Sequence, residues 1–93
     1  MSLDDKVVLI TGAGSGIGAA AARLMAKQGA AVTLAGIPAA DVRDVAAEIA
    51  AGGGRALAVT ADVRSENDLD AAIRLTIETF GKLNIIVANA GVQ

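Results

Sequence analysis

Short apolar runs alternate along the chain with longer segments in which apolar residues recur every three or four positions. The short runs predict buried β-strands, and the three- to four-residue spacing predicts amphipathic helices. Four strands are predicted at 7–10, 31–35, 56–61 and 83–88, with helices between them at 16–28, 39–51 and 66–80. The predicted element order is therefore β-α-β-α-β-α-β.

Each predicted helix carries one apolar stripe that we expect to face a sheet. The stripes are Ile17, Ala20, Ala21, Leu24 and Met25 in the first helix; Val42, Val45, Ala46 and Ile49 in the second; and Leu69, Ala72, Ile73, Thr76, Ile77 and Phe80 in the third. Glycines follow all three helices, at Gly29, at 52–54 and at Gly81, where a helix ends readily. Ser65 followed by Asp68 predicts a capping box that opens the third helix.

Strands that alternate with helices pair in parallel, because each helix returns the chain across the sheet in a right-handed crossover. The sequence thus predicts an α/β fold, a Rossmann-type doubly wound parallel sheet with strand order 3-2-1-4. Continuous apolar runs such as 84–88 are typical of strands that are covered on both faces.

This strand order places the fourth strand at an edge of the sheet. The apolar residues 85–87 would then carry an unpaired backbone edge, which promotes aggregation. We therefore expect the 93 residues to be the N-terminal part of a longer polypeptide, or a domain that needs a partner. The alternative is a small domain that folds by itself.

Composition excludes several classes of protein. The chain has no cysteine and no histidine, so disulfides, thiolate metal sites and the commonest general base are excluded, and we predict no metal site. The N-terminal residues 1–6 include two aspartates where a secretory signal is basic, and no apolar run is long enough to span a membrane. With a net charge of −2 and no basic cluster, nucleic acid and anionic membranes are disfavoured as partners. A cytoplasmic protein is expected.

The first predicted strand leads into a glycine-rich turn, Thr11–Gly18, which precedes the first helix. Gly12 and Gly16 would let the backbone approach a pyrophosphate, and Gly18 would let the helix pack close to the sheet. Ser15 offers a hydroxyl group, and the N–H of Ile17 lies at the positive end of the helix dipole. The alternative is a tight strand-to-helix turn that binds no ligand.

Four segments rich in small or polar residues follow the four predicted strands. They are Thr11–Gly18, Gly36–Ile37, Asp62–Val63 and Asn89–Gly91. The carboxyl ends of parallel strands lie at one edge of a sheet, and ligands of doubly wound folds bind there. The sequence therefore predicts one ligand site at this edge.

Three of these segments resemble, in order, motifs of the short-chain dehydrogenase/reductase family: T-G-x-x-x-G-x-G at Thr11–Gly18, Asp62-Val63, and Asn89-Ala90-Gly91. The resemblance implies a Rossmann fold that binds NAD or NADP and an enzyme that transfers hydride to or from an alcohol or ketone. It also implies a homo-oligomer. By the same resemblance, Asp62 would accept a hydrogen bond from the adenine amino group and the Val63 backbone would contact the ring. Asn89, Ala90 and Gly91 would line the adenosine ribose and brace the central strands.

The chain departs from the family pattern at two places. Ala88 stands where the family usually has a further asparagine, which removes one bracing amide. Gly36 and Ile37 supply no acid to bind the ribose hydroxyls of NAD, and Ser15 stands where some NADP-binding relatives have arginine. Arg43 is expected on the solvent face of its helix. We favour NAD, because an unpaired 2′-phosphate costs more than a missing hydroxyl contact.

Family members catalyse with a serine and a Tyr-x-x-x-Lys pair that follow the Asn-Ala-Gly segment. The 93 residues contain no tyrosine, so no catalytic residue is predicted among them. The main hypothesis is the cofactor-binding half of an oxidoreductase. Its rivals are a non-catalytic dinucleotide-binding module with a regulatory or scaffold role, and a fragment that binds nothing. A sugar-nucleotide epimerase is less favoured, because its glycine spacing is typically T-G-x-x-G-x-x-G.

Overall fold

The computed structural model describes residues 2–14 and 16–89, and these form four strands and three helices in the predicted order. The elements are β1 (Val7–Thr11), α1 (Gly16–Lys27), β2 (Ala31–Gly36), α2 (Ala39–Ala51), β3 (Arg55–Thr60), α3 (Glu66–Phe80) and β4 (Ile85–Val87). The predicted α/β class and Rossmann-type arrangement are confirmed. Among the described helices, none has the length and apolar character needed to cross a bilayer.

All strands are parallel, in the order β3-β2-β1-β4, which confirms the predicted order. β4 is shorter than the predicted 83–88, because the asparagines that flank it make hydrogen bonds that do not belong to the regular pairing of parallel strands. The side-chain Oδ1 of Asn84 accepts a hydrogen bond from the N–H of Val7 (2.8 Å), and the N–H of Asn89 turns back to the carbonyl of Val87 (3.1 Å). The strand is therefore delimited by an asparagine at each end.

The two faces of the sheet carry separate cores. Side chains that include Val8, Ile10, Val32 and Leu34 pack with α1 and α2, whereas Leu9 and Ala35 pack with Ala72 of α3. Every residue of β1 and β2 is buried, as the continuous apolar runs predict for covered strands. The same prediction is wrong for β4, where Ile86 is 50% exposed. The reason is that α3 packs over β1, β2 and β3.

The predicted apolar stripe of α1 is wrong in part, because Ala21 and Met25 pack against the core but Ile17 and Leu24 do not. Ile17 and Leu24 are 80% and 60% exposed, and the buried residues are Gly18, Ala19 and Ala22. Nearly every position of this helix is apolar or small, so the three- to four-residue spacing did not fix which side is buried. The small side chains face the sheet because they allow the helix axis to approach it.

The other two stripes agree better with the structure. In α2, Val42, Val45 and Ile49 are buried as predicted. In α3, Ala72 and Thr76 are buried, but Ile77 is 46% exposed and was wrongly assigned to the inner face.

The predicted capping box of α3 forms only in part. Ser65 Oγ accepts a hydrogen bond from the N–H of Asp68 (3.2 Å), which is the expected cap. The return bond is different, because the Asp68 carboxylate accepts from the N–H of Asp62 (2.9 Å) instead of Ser65. Asp68 therefore fixes the segment that precedes the cap.

Candidate functional site

The segments singled out in the sequence lie at one edge of the sheet. The parallel strands end at Thr11, Gly36, Thr60 and Val87, and the predicted site segments follow each of these residues. Three of the predicted site residues, Ser15, Ala90 and Gly91, lie outside the described residues. The others are held at this edge by β1 to β4.

Gly12, Gly18 and Asn89 pack directly together at the end of β1. The side-chain Nδ2 of Asn89 donates a hydrogen bond to the carbonyl oxygen of Gly12 (3.2 Å). A Cβ on Gly12 would lie 2.5 Å from the carbonyl oxygen of Asn89, and a Cβ on Gly18 would overlap the carbonyl oxygen of Gly12. These two glycines are therefore required by contacts within the protein.

Gly16 has a different environment. Its φ is +59°, and apart from its own chain neighbours and helix backbone, no atom of residues 2–14 and 16–89 would lie within 4 Å of a Cβ placed on it. It is the first residue of the twelve-residue helix α1, whose first N–H groups have no partner within the helix. Its neighbour Ile17 is 80% exposed. The turn therefore presents open backbone and the positive end of a helix dipole at this edge, a combination that suits an anionic group.

The end of β2 meets the first turn of α2. Gly36 is buried, and a Cβ on it would contact Val42 (3.3 Å) and the N–H of Ala13 (3.4 Å). On the adjacent turn, a Cβ on Gly14 would lie 2.9 Å from the Cβ of Asp41. Asp41 thus places a carboxylate beside the glycine turn, although Gly36 and the 55% exposed Ile37 carry none.

The sequence did not predict Asp41 as a site residue, since an acid for the ribose was expected directly after the second strand, at Gly36 or Ile37. A usable signal was present, because Asp41 is the first acidic residue after the glycine turn. In dinucleotide-binding folds, an acid about 20 residues beyond the glycines typically binds the ribose. Arg43, on the same helix, is exposed as expected.

Asp62 follows β3 and is paired with Arg64, a second residue that the sequence reasoning missed. Asp62 Oδ1 accepts from the backbone N–H (3.0 Å) and Nε (3.0 Å) of Arg64, and Oδ2 accepts from Nη2 (2.9 Å). These side-chain and backbone hydrogen bonds from Arg64 lower the pKa of Asp62 to about 2. The neighbouring Val63 is 38% exposed. Asp62 is therefore an ionised acceptor at neutral pH, already engaged with one cation.

A groove of about 520 Å³ lies between the C-terminal halves of α1 and α2, away from this edge. Its lining includes Arg23, Leu24, Glu48 and Ile49. None of the predicted site residues lines the groove, and its position at the far end of both helices separates it from the glycine turn.

The arrangement at the carboxyl edge is suited to binding. It combines backbone donors at a helix start with carboxylates at Asp41 and Asp62. The 93 residues include no tyrosine, histidine or cysteine that could transfer a proton near neutral pH.

Comparison with known proteins assigns the chain to a family. A profile of the short chain dehydrogenase family matches residues 6–93, and the chain belongs to this family. Among curated relatives, it is 43% identical over 89 residues to cyclohexanol dehydrogenase of Acinetobacter sp. (strain SE19), covering 96% of this chain and 36% of that protein.

Solved structures agree. The chain superposes on a hydroxysteroid dehydrogenase from Escherichia coli with a TM-score of 0.95 and 42% identity, covering 98% of this chain and 39% of that one. A 7α-hydroxysteroid dehydrogenase complexed with NADH and 7-oxo glycochenodeoxycholic acid matches with a TM-score of 0.89 and 40% identity, covering 91% of this chain and 33% of that one. The 93 residues thus span between 33% and 39% of the length of these relatives.

Proposed function

We propose that this chain is the cofactor-binding half of an NAD(P)-dependent oxidoreductase that acts on an alcohol or ketone. The observation that carries the proposal is the open backbone at Gly16, at the start of α1 and at the carboxyl edge of the sheet. Similar proteins are named dehydrogenases, and one related structure holds NADH. When bound, the nicotinamide ring accepts or supplies the hydride.

The residues present fit such a dinucleotide. The turn at Gly16 and Ile17 would hold the diphosphate with backbone N–H groups, because no Cβ obstructs it at Gly16. Asp62 would accept a hydrogen bond from the adenine amino group, and the Val63 backbone would contact the ring. Asn89, already bonded to the glycine turn, would lie on the ribose side with Ala90 and Gly91.

We propose NAD rather than NADP as the cofactor. Asp41 places a negative charge against Gly14, near the end of β2, where the adenosine ribose binds in doubly wound folds. A carboxylate there favours ribose hydroxyls and repels a 2′-phosphate. Arg64, a cation at the same edge, is already paired with Asp62.

The catalytic groups are proposed to lie in the full-length protein outside these 93 residues, together with the residues that select the substrate and form a homo-oligomer. This division is supported by coverage, since the chain spans 36% of cyclohexanol dehydrogenase and 39% of the hydroxysteroid dehydrogenase. The 93 residues also contain no tyrosine, histidine or cysteine. Cytoplasmic location stays a prediction.

The test is a titration of the full-length protein with NADH, followed by fluorescence, together with an assay for alcohol oxidation. Saturable NADH binding with turnover of alcohols supports the proposal. Binding without turnover of any alcohol or ketone would favour a non-catalytic dinucleotide-binding module. Failure to bind NADH or NADPH would refute the cofactor assignment.

A further inference from the structure

The backbone around Asp62 is fixed on both sides by hydrogen bonds. The N–H of Ala61 donates to the carbonyl of Gly36 (3.0 Å), which ties this segment to the end of β2. The N–H of Asp62 donates to Asp68 Oδ2 (2.9 Å), and its carbonyl accepts from the N–H of Ser65 (2.9 Å). The direction of the Asp62 side chain is therefore set by whatever binds its carboxylate.

Arg64 supplies that contact. A carboxylate has about four acceptor positions, two on each oxygen. Arg64 donates to two acceptor positions on Oδ1 and to one on Oδ2. Within residues 2–14 and 16–89, the second acceptor position of Oδ2 has no donor. The Asp62 side chain is 34% exposed and the Arg64 side chain 83% exposed, so a ligand can approach this pair from solvent.

We propose that Arg64 is a positioning residue that directs the free acceptor of Asp62 Oδ2 toward the amino group of a purine base. This inference rests on the proposed function and adds to it a basis for selecting the base. The planar guanidinium donates to both carboxylate oxygens and thereby limits rotation of the carboxylate. A lysine has a single side-chain nitrogen, so it cannot fix the plane of the carboxylate in this way. An amino group donates to the remaining position, whereas the carbonyl of a hypoxanthine base offers no hydrogen there.

The experiment compares two cofactors that differ only at this group. NADH and reduced nicotinamide hypoxanthine dinucleotide share the fluorescent ring, so their Kd values are measured by the same titration of the full-length protein. We expect wild-type protein to prefer NADH by about tenfold, the factor of one hydrogen bond to a charged acceptor. In Arg64→Ala the preference should fall below about threefold, and Arg64→Lys should lie between the two.

Two controls separate positioning from general damage. Arg74→Ala removes the same charge from an exposed position on α3 and should keep the wild-type preference. Reduced nicotinamide mononucleotide lacks the adenosine half, so its affinity should be equal in wild type and Arg64→Ala.

Each outcome has one meaning. No preference in the wild type, or an unchanged preference in Arg64→Ala, overturns the role of Arg64 while leaving the dinucleotide site intact. Equal losses for both dinucleotides and for the mononucleotide also overturn it, because they indicate a structural effect. If NADH does not bind at all, the proposed function fails, and the role of Arg64 fails with it. Should Arg64→Ala not fold, an Arg64→Lys variant with the full wild-type preference overturns the proposal.

Discussion

Asn89 and Gly12 are joined by a hydrogen bond from the side-chain amide of Asn89 to the carbonyl of Gly12, across 77 positions of sequence. This bond links the end of β4 to the turn after β1, at the edge where the ligand is proposed to bind. Gly18 lies against the same two residues, so strand, turn and helix start are packed as one unit.

Replacing Asn89 by alanine should destabilise the protein and weaken NADH binding. The lost hydrogen bond contributes about 1 kcal/mol to the free energy of unfolding. Asn84→Ala is the matched control, because the Asn84 side chain also bonds β4 to β1 but at the amino end of the strand. Both variants should unfold at lower urea concentration, whereas only Asn89→Ala should raise the Kd for NADH. A normal Kd in Asn89→Ala would separate this residue from the ligand site.

Gly16→Ala should weaken NADH binding by at least about tenfold while the protein still folds. The new methyl group would contact no other segment of the described chain, and it would project from the turn that is proposed to hold the diphosphate. Its positive φ costs about 1 kcal/mol of stability. Gly53→Ala has the same type of strain, with φ +91° and open space, but lies after α2 at the opposite edge. A Kd that rises equally in both variants would contradict the role of Gly16. Gly12 is unsuitable for this test, because the Cβ of any residue that replaces it would clash with Asn89.

Asp62 should stay ionised well below neutral pH. Its pKa in the folded protein is about 2 against an ordinary value of 3.8, so the carboxylate stabilises the fold above pH ~4. That contribution should be lost as the pH falls from about 4 through about 2. In this range the unfolded state binds a proton at Asp62 more readily than the folded state does, so lowering the pH favours unfolding. Carboxyl NMR titration should give a low pKa in the wild type and a higher one in Arg64→Ala, still below the ordinary value because the backbone N–H of residue 64 continues to donate to Asp62 Oδ1. Equal pKa values would rule out the pair as the cause.

Thr33 and Thr76 form a buried polar contact between β2 and α3. Thr76 Oγ1 lies 2.8 Å from Thr33 Oγ1 and 2.7 Å from the carbonyl of Ala72. Because Thr76 has one hydroxyl hydrogen, which the carbonyl takes, its oxygen accepts from Thr33. Thr76→Val should therefore cost about 1–3 kcal/mol, since it leaves the Thr33 hydroxyl buried without an acceptor. The double variant Thr33→Val/Thr76→Val should cost less than the sum of the single variants in urea unfolding. Additive costs would mean that the two hydroxyls are not coupled.

Asp41→Asn should shift cofactor preference toward NADP. Removing the charge beside Gly14 relieves its repulsion of a 2′-phosphate, by roughly 1 kcal/mol, so the Kd ratio of NADPH to NADH should fall about fivefold. Asp44→Asn, an exposed carboxylate on the same helix, is the control for net charge. An equal change in both variants would indicate a long-range charge effect without a specific contact.

The element order, the parallel sheet with its strand order and the glycine turn were determined by the sequence itself. The element order and the glycine turn depend on local patterns, because apolar periodicity and helix-ending glycines act over short distances. The strand order follows from the way in which β-α-β units assemble into a doubly wound sheet, since it pairs distant residues such as Val8 and Ile85. The sequence also determined the buried face of α2, because apolar and polar positions alternate with clear helical spacing in this segment.

Only the tertiary structure decided which side of α1 is buried, which carboxylate lies beside the glycine turn and what holds Asp62. Every position of α1 except Arg23 and Lys27 is apolar or small, so its orientation depended on how closely Gly18 could approach Gly12. The contacts of Gly14 with Asp41 and of Gly12 with Asn89 join segments far apart in sequence. Such partners are fixed by the packing of helices on the sheet, which no local pattern of residues specifies.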